Sequence, residues 1–255
     1  MKILVCLKQV PDLEAKFKLN DKGNWIAESD LAFRLNEYDE YAVEEAVRLK
    51  EKLGSENVDI TVLSIGPERV KEVIKKALAM GADRSIYIKD DEPYNKDSFH
   101  ISSIIYECVK DSGFDIIFTG MQSNDRSSCQ VGVFLAELLG INSITTVVGF
   151  DYNDNVVTVR RELEGGKKMV VKSSLPLLLT CQLGLNTPRY PTLPNIMKAK
   201  KKEIKEFNVK EFDKITNSTT ITKLVYPEKK SKAEIIEGSI SDIAPKLVKI
   251  IKSKI

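Results

Sequence analysis

Val58-Asp-Ile-Thr-Val-Leu-Ser-Ile-Gly-Pro-Glu-Arg-Val-Lys-Glu-Val-Ile-Lys-Lys-Ala-Leu-Ala-Met80 carries, in one stretch, the pattern that decides the fold. Asp59 to Ile65 is a short apolar run of strand length, and Pro67 to Met80 is amphipathic at helical spacing. The same unit recurs on both sides. Upstream, Ile3 to Leu7 reads as a strand and Asp39 to Lys52 as a helix, with Glu37, Asp39 and Glu40 crowding its start and Arg48, Lys50 and Lys52 near its end, which complements the helix dipole. Downstream come a strand at Ser85 to Ile88, a helix at Ser98 to Lys110, a strand at Ile116 to Thr119, and a helix at Val131 to Leu139 closed by Gly140. Runs buried on both faces and joined through helices imply an α/β fold with a doubly wound, mostly parallel sheet.

After Gly149 the texture changes. Val156 to Arg161, a Glu-Gly-Gly turn and Met169 to Lys172 read as a hairpin, and Leu177 to Thr180 as a further strand, so the sheet is expected to gain antiparallel members. From Asn186 onward Pro188, Pro191 and Pro194 break the chain, and four lysines fall within Lys198 to Lys202; this stretch is expected to extend away from the globule as a solvated docking arm. Ile240, Ile243, Leu247, Ile250 and Ile251 recover helical spacing, with Ser241 as the expected cap, and a terminal helix reached through an arm suits packing on another subunit. The expected organisation is a nucleotide-binding α/β domain over 1–185, an extended arm over 186–232 and a helix within 233–255.

Bulk properties exclude several classes. Lys+Arg of 39 against Asp+Glu of 37 leaves a net charge of +2 over 255 residues, so no chain-wide field draws the molecule to nucleic acid, and the lysine run lacks interleaved aromatics. Cys6, Cys108, Cys129 and Cys181 are scattered without metal-ligand or disulfide spacing, and no metal site is expected. No apolar run reaches membrane-spanning length and the N-terminal run is too short for a signal peptide, so a soluble cytoplasmic protein without stable membrane insertion is expected. The single histidine, His100, has no second imidazole to work with and is expected to be a surface or helix-start residue without a catalytic role.

Ligands of a doubly wound sheet bind beyond the carboxyl ends of its strands. The richest such segment is Thr119-Gly-Met-Gln-Ser-Asn-Asp-Arg-Ser-Ser-Cys-Gln-Val-Gly132, a small and polar loop directly before a helix. Free backbone N–H groups at a helix start suit a phosphate. The loop matches neither GxGxxG nor the P-loop pattern, so an N-capping loop and a nucleotide site are both open on this ground alone. Asn36 reads as a plain helix cap, and Glu162 and Glu164 as strand alternation beside a turn rather than an acid/base pair.

Cys181-Gln-Leu-Gly-Leu-Asn-Thr-Pro-Arg-Tyr-Pro-Thr-Leu-Pro-Asn-Ile-Met-Lys-Ala-Lys-Lys-Lys202 resembles the signature of electron-transfer flavoprotein beta subunits. The resemblance extends over Val5 to Gln9, Leu35 to Tyr38, Ala42 to Ala46, Ala77 to Arg84 and Arg161 to Gly166. It implies a Rossmann-like, adenine-nucleotide alpha-hydrolase-like fold and an obligate alpha-subunit partner that carries the shuttling FAD. The function it implies is an electron carrier, rather than an enzyme in its own right, between flavin-dependent dehydrogenases and a downstream acceptor. It also implies a structural AMP in this chain, at Cys6, Asn36, Ile65, Gly120, Gln122, Ser123, Asp125, Ser128, Cys129, Gln130, Val131 and Gly132. Leu193 falls on the residue that anchors a partner dehydrogenase, flanked by Pro194, Ile196 and Met197; Glu162 falls on a glutamate that holds the mobile flavin domain.

Gly120 to Ser128 and the ending from Tyr226 to Ser241 are similar to the bacterial branch serving methylamine-type dehydrogenases. Val131-Gly132, in contrast, is similar to flavin-bifurcating members, which implies as an alternative a second FAD here, reduced by NADH. A stand-alone adenine-nucleotide-binding stress or regulatory protein is a further alternative, for which the arm and terminal helix have no evident use.

Overall fold

Successive side chains of a strand point to opposite faces of its sheet, so a strand apolar at every position is one covered on both. In the computed structural model, which describes residues 1–215, 217–227, 233 and 235–254, the central strands behave this way. Ile3, Val5, Ile60, Val62, Ile116, Phe118, Leu177 and Leu179 enter one core, while their alternates Leu4, Leu63, Ile117 and Leu178 enter another.

The chain runs β1 (Lys2–Leu7), β2 (Gln9–Pro11), β3 (Phe33–Leu35), α1 (Glu37–Leu53), β4 (Asp59–Gly66), α2 (Lys71–Met80), β5 (Arg84–Lys89), α3 (Ser98–Val109), β6 (Ile116–Gly120), α4 (Val131–Leu139), β7 (Asn142–Asn153), β8 (Val156–Glu162), β9 (Lys168–Ser173), β10 (Leu177–Cys181), α5 (Leu193–Ala199) and β11 (Ile204–Asn208). Helices α1 and α2 close the first core with Ala42, Val43, Ala46, Ile74 and Leu78; α3 and α4 close the second with Ile104, Ile105, Leu135 and Ala136. Among the described residues the main sheet has nine strands in the order β11-β5-β4-β1-β6-β10-β7-β8-β9, parallel from β11 to β7 and antiparallel across β7-β8-β9. The doubly wound sheet and its added antiparallel strands are as expected. The strand at Leu177–Cys181 lies between β6 and β7, parallel to both, with all five residues buried.

The segment after Asn186 departs from the expectation of an arm extending from the globule, at least as far as Lys223, where a first compact unit that starts at Met1 ends. β11 adds to the main sheet in parallel with β5, and the Ser85 hydroxyl donates to the Glu203 carbonyl at 3.1 Å. Nor is the lysine run all solvated. The Lys202 ammonium donates to the Ala82 carbonyl at 2.5 Å, just past the end of α2, where the helix dipole favours a cation.

A second unit begins at Leu224 and holds α6 (Ile240–Lys252). Its cap position is Ser239, not Ser241; the Ser239 hydroxyl bonds the side chains of Ser241 and Asp242. Ile240, Leu247, Val248, Ile250 and Ile251 are exposed. The part of the tail similarity that falls on 228–232 and 234 lies outside the described residues.

Candidate functional site

Sheet order reverses at β1: β4 and β5 lie on one side of it, β6 and β10 on the other. A crevice opens at such a point beyond the strand ends. Here it is a cavity of about 180 Å³, which Cys6, Asn36, Ile65, Gly120, Gln122, Ser123, Asp125, Ser128, Cys129, Gln130, Val131 and Gly132 all line. That is an order of magnitude more than the roughly 10–15 Å³ one water needs, so the space is ligand-sized.

Its floor is organised by Asp39, in the first turn of α1. The carboxylate is buried and accepts N–H donors from Lys8 at 2.7 Å, from the Asn36 amide at 2.9 Å and from Gly120 at 3.1 Å, tying together β1, α1 and β6. Burial pushes its carboxyl up to about 7 against the pull of those donors. The sequence reading placed Asp39 among acids that complement the helix dipole; the structure makes it an interior joint. Gly120 is required by the same closeness, since a Cβ there would sit 2.2 Å from the Asp39 Oδ1.

Asn36 occupies the N-cap position of α1, yet its side chain makes no cap hydrogen bond. It donates to the Gln122 carbonyl at 2.9 Å and accepts from the Asn124 N–H at 3.1 Å, so it shapes the 120–124 turn instead. Cys6 lines the cavity as an apolar group, because burial pushes its thiol well above the ordinary range. Lys8 reaches the Ser123 hydroxyl at 3.2 Å and Asp125 at 2.7 Å.

At α4 the loop enters the helix through Gln130 with no side chain capping it, after left-handed residues at Ser127 and Cys129. The Gly132 Cα approaches so closely that a Cβ would lie 2.7 Å from the Thr119 Oγ1 and 3.0 Å from the Thr180 Cγ2. Thr119 is buried and its Oγ1 has no hydrogen-bond partner. An uncapped helix start beside an unmatched hydroxyl suits an anion. The cations around the cavity are engaged: Lys8 with Asp125 at 2.7 Å, Lys96 with Asp90 at 2.8 Å, Arg69 with Glu28 at 3.0 Å, and the Arg126 guanidinium with the Lys96 and Tyr94 carbonyls.

The segment between β2 and β3 covers the cavity with Trp25, Ile26 and Glu28. Trp25 stacks on Tyr94, ring centroids 5.4 Å apart and nearly coplanar at 7°, with the Arg126 guanidinium 5.0 Å from the indole. Sequence reasoning missed Trp25, Asp39 and Tyr94 as site residues, and did not single out Lys8, or Thr119 and Arg126 within the candidate loop. For Thr119 and Lys8, their place at or just past a strand end was a usable signal; the meeting of Trp25 with Tyr94 left none.

The other expected residues lie outside the cavity lining. Leu193 and Pro194 open α5, Ile196 and Met197 follow, and all four are exposed, Leu193 at 74%. Glu162, at the end of β8, is half-buried and accepts from the Gln182 amide at 3.5 Å. His100 stands in the first turn of α3, as the helix-start reading expects, but is buried rather than on the surface, its Nδ1 2.8 Å from the Asn217 Oδ1 and its Nε2 2.5 Å from an Asp213 oxygen. It fastens the chain after β11 to α3. Among the described residues no helix is long and apolar enough to cross a membrane, and no group of three or more His, Cys, Asp or Glu could hold a metal.

Residues 23–212 match the family model described as the electron transfer flavoprotein domain. Over 98% of each chain this sequence is 36% identical to the electron transfer flavoprotein subunit beta of Methylophilus methylotrophus. It is 37% identical to that of Bacillus subtilis over 100% of this chain and 98% of the relative, and 35% identical to that of Bradyrhizobium diazoefficiens over 97% of each. With likeness of this depth along the whole chain, on an α/β sheet whose switch-point cavity has an uncapped helix start, the chain belongs to the electron transfer flavoprotein beta-subunit family.

Proposed function

We propose that this chain pairs with an alpha subunit bearing the shuttling FAD, that its cavity holds a structural AMP, and that the heterodimer carries electrons in the cytoplasm from a flavin-dependent dehydrogenase, of the methylamine type, to a downstream acceptor. The observation that carries the nucleotide reading is the conjunction at α4: no capping side chain, a glycine at the point of closest approach, and the orphaned Thr119 hydroxyl. Phosphate would lie with the backbone N–H groups at the start of α4, and Ile65, Ile101 and Ile105 would offer apolar wall to the base.

The redox chemistry is supplied by FAD when it is bound in the alpha subunit. The residues here bind, orient and dock. One phosphate is served by one helix start, whereas the second phosphate of a dinucleotide would meet side-chain cations of which Lys8, Lys96 and Arg69 are already paired with Asp125, Asp90 and Glu28 and Arg126 is held by two backbone carbonyls. That favours AMP over a second FAD. On the surface, Leu193 would insert into a pocket of the dehydrogenase with Pro194, Ile196 and Met197 around it, Glu162 would hold the flavin domain of the alpha subunit, and the apolar side of α6 would be covered by that subunit. A single exposed apolar anchor on a proline-stiffened loop loses little entropy on docking.

The deciding measurement is FAD and AMP released by heat from the heterodimer. One of each per heterodimer is expected. Two FAD, no AMP and direct reduction by NADH would overturn the reading and make this the NADH-facing half of a bifurcating enzyme.

A further inference from the structure

Glu44 and Glu45 are adjacent carboxylates on α1, and both side chains are buried, at 5% and 8% exposure. Neighbouring buried acids are unfavourable unless something outside their own helix matches them. Beyond Arg48 of the same helix, 4.0 Å from Glu45, what matches them comes from the segment that precedes α5. The Arg189 guanidinium donates from Nε to the Glu44 Oε2 at 2.8 Å and from Nη2 to Oε1 at 3.0 Å. It also grips Glu51, two turns further along α1, at 2.6 and 2.9 Å. The Arg189 backbone N–H donates to Glu44 at 3.1 Å as well, and the Asn186 amide donates to Glu45 at 2.8 Å and to the Tyr41 carbonyl at 3.0 Å.

Two forks on one guanidinium fix direction as well as distance. Pro188 and Pro191 bracket Arg189, and only Tyr190, Pro191 and Thr192 separate it from Leu193, so little freedom remains between the clamp and the exposed side chain. The far end of the segment is fastened too, through the buried Ala199 and through Lys202 on the Ala82 carbonyl. Surface Leu193, Ile196 and Met197 therefore ride on a short stretch held at both ends.

We infer that Arg189 is a positioning residue for docking: by clamping Glu44 and Glu51 it holds the Leu193 segment at a fixed place and angle on α1. The inference rests on the docking role proposed above for Leu193 but reaches a half-exposed residue four positions before it. The helix that the clamp grips, α1, also bears Asp39 of the cavity floor in its first turn, whereas α5 itself packs against α2.

The test uses the heterodimer with Arg189→Gln, with the charge-balanced pair Glu44→Gln/Arg189→Gln, which leaves no unpaired buried carboxylate, and with Glu51→Gln, which removes only the outer fork. Amide hydrogen exchange over 190–197 is expected to quicken about tenfold or more in the first two and less in the third, with α1 and the cavity strands unchanged. With a methylamine-type, flavin-dependent dehydrogenase as electron donor, KM for the donor is expected to rise about fivefold while kcat stays within about twofold. Added to Leu193→Ala, the Arg189 changes are expected to raise KM no further, because they act through the same side chain. Unchanged exchange over 190–197 would overturn the inference outright. Quickened exchange with unchanged KM, where Leu193→Ala does raise KM, would overturn the positioning role while leaving the docking reading intact. If Leu193→Ala itself leaves KM unchanged, the docking reading fails, and with it the positioning role.

Discussion

Replacing Asp39 with asparagine tests how the joint beneath the cavity is held together. The carboxyl titrates near 3.8 in an unfolded chain and is pushed up to about 7 by burial. Between those values the folded chain keeps a proton that the unfolded chain has released. The contribution to stability is therefore complete below about pH 3.8 and declines as pH rises toward 7. At about 1.4 kcal/mol per unit, the decline between pH 5 and pH 8 is roughly 3 kcal/mol. Asparagine does not titrate. It carries instead a penalty of about 1–3 kcal/mol that is independent of pH, since its amide NH2 faces the Lys8 N–H donor or the two donors on the other oxygen. The stability of Asp39→Asn relative to the native chain is thus expected to improve by about 3 kcal/mol on going from pH 5 to pH 8. Urea unfolding of both heterodimers at equal concentration, followed by the fluorescence of Trp25, the chain's single tryptophan, measures it. The same gap at both pH values would refute the reasoning, and would mean that the three N–H donors keep Asp39 ionised throughout.

Gly132→Ala places a Cβ 2.7 Å from the Thr119 Oγ1, with Thr180 and Leu178 behind it, and is expected to cost about 1–3 kcal/mol and to lower the AMP recovered per heterodimer; a normal thermal midpoint with full AMP content would count against the close approach. Thr119→Val removes a buried hydroxyl that has no partner, so nucleotide-free protein is expected to be as stable or up to about 1 kcal/mol more stable, while AMP affinity falls about fivefold or more. Titration calorimetry decides, and unaltered affinity would mean that the hydroxyl does not face the ligand. His100→Ala removes the ring contacts of Asp213 and Asn217 and is expected to speed amide exchange over 213–215 and 217–219 with a global loss of only about 1 kcal/mol; protection as in the native chain would show that the contacts of Asn217 with Asp97 and Asn95 and of Asp97 with Ser218 and Thr219 suffice.

Much of the fold is legible in the sequence because its central strands are apolar at every position. Ile3-Leu-Val-Cys-Leu7 and Ile116-Ile-Phe118 announce burial on both faces by composition alone, and the amphipathic segments between them supply the covers. The loop before α4 is legible for a related reason, because a strand end followed by small polar residues and a helix start is a local pattern. The strands β2, β3, β7 and β11 escaped the sequence reading. β7 mixes Thr, Asp and Asn among its apolar residues, and β11 reads Ile-Lys-Glu-Phe-Asn, an edge strand whose pairing with β5 depends on the distant chain returning to the sheet.

The sequence by itself determined the α/β architecture, the helix-start loop and the family signature, all of which reside in contiguous residues. Only the tertiary structure decided what the polar residues do. Asp39 and Glu44 read as ordinary acids of a charged helix, and His100 as a surface or helix-start residue, until Lys8 and Gly120, Arg189, and Asp213 with Asn217 are brought to them from elsewhere in the chain. The physical reason is that apolar burial is announced by periodicity along the chain, whereas the cost of burying a charge is offset only by a partner that the fold, not the neighbouring sequence, delivers.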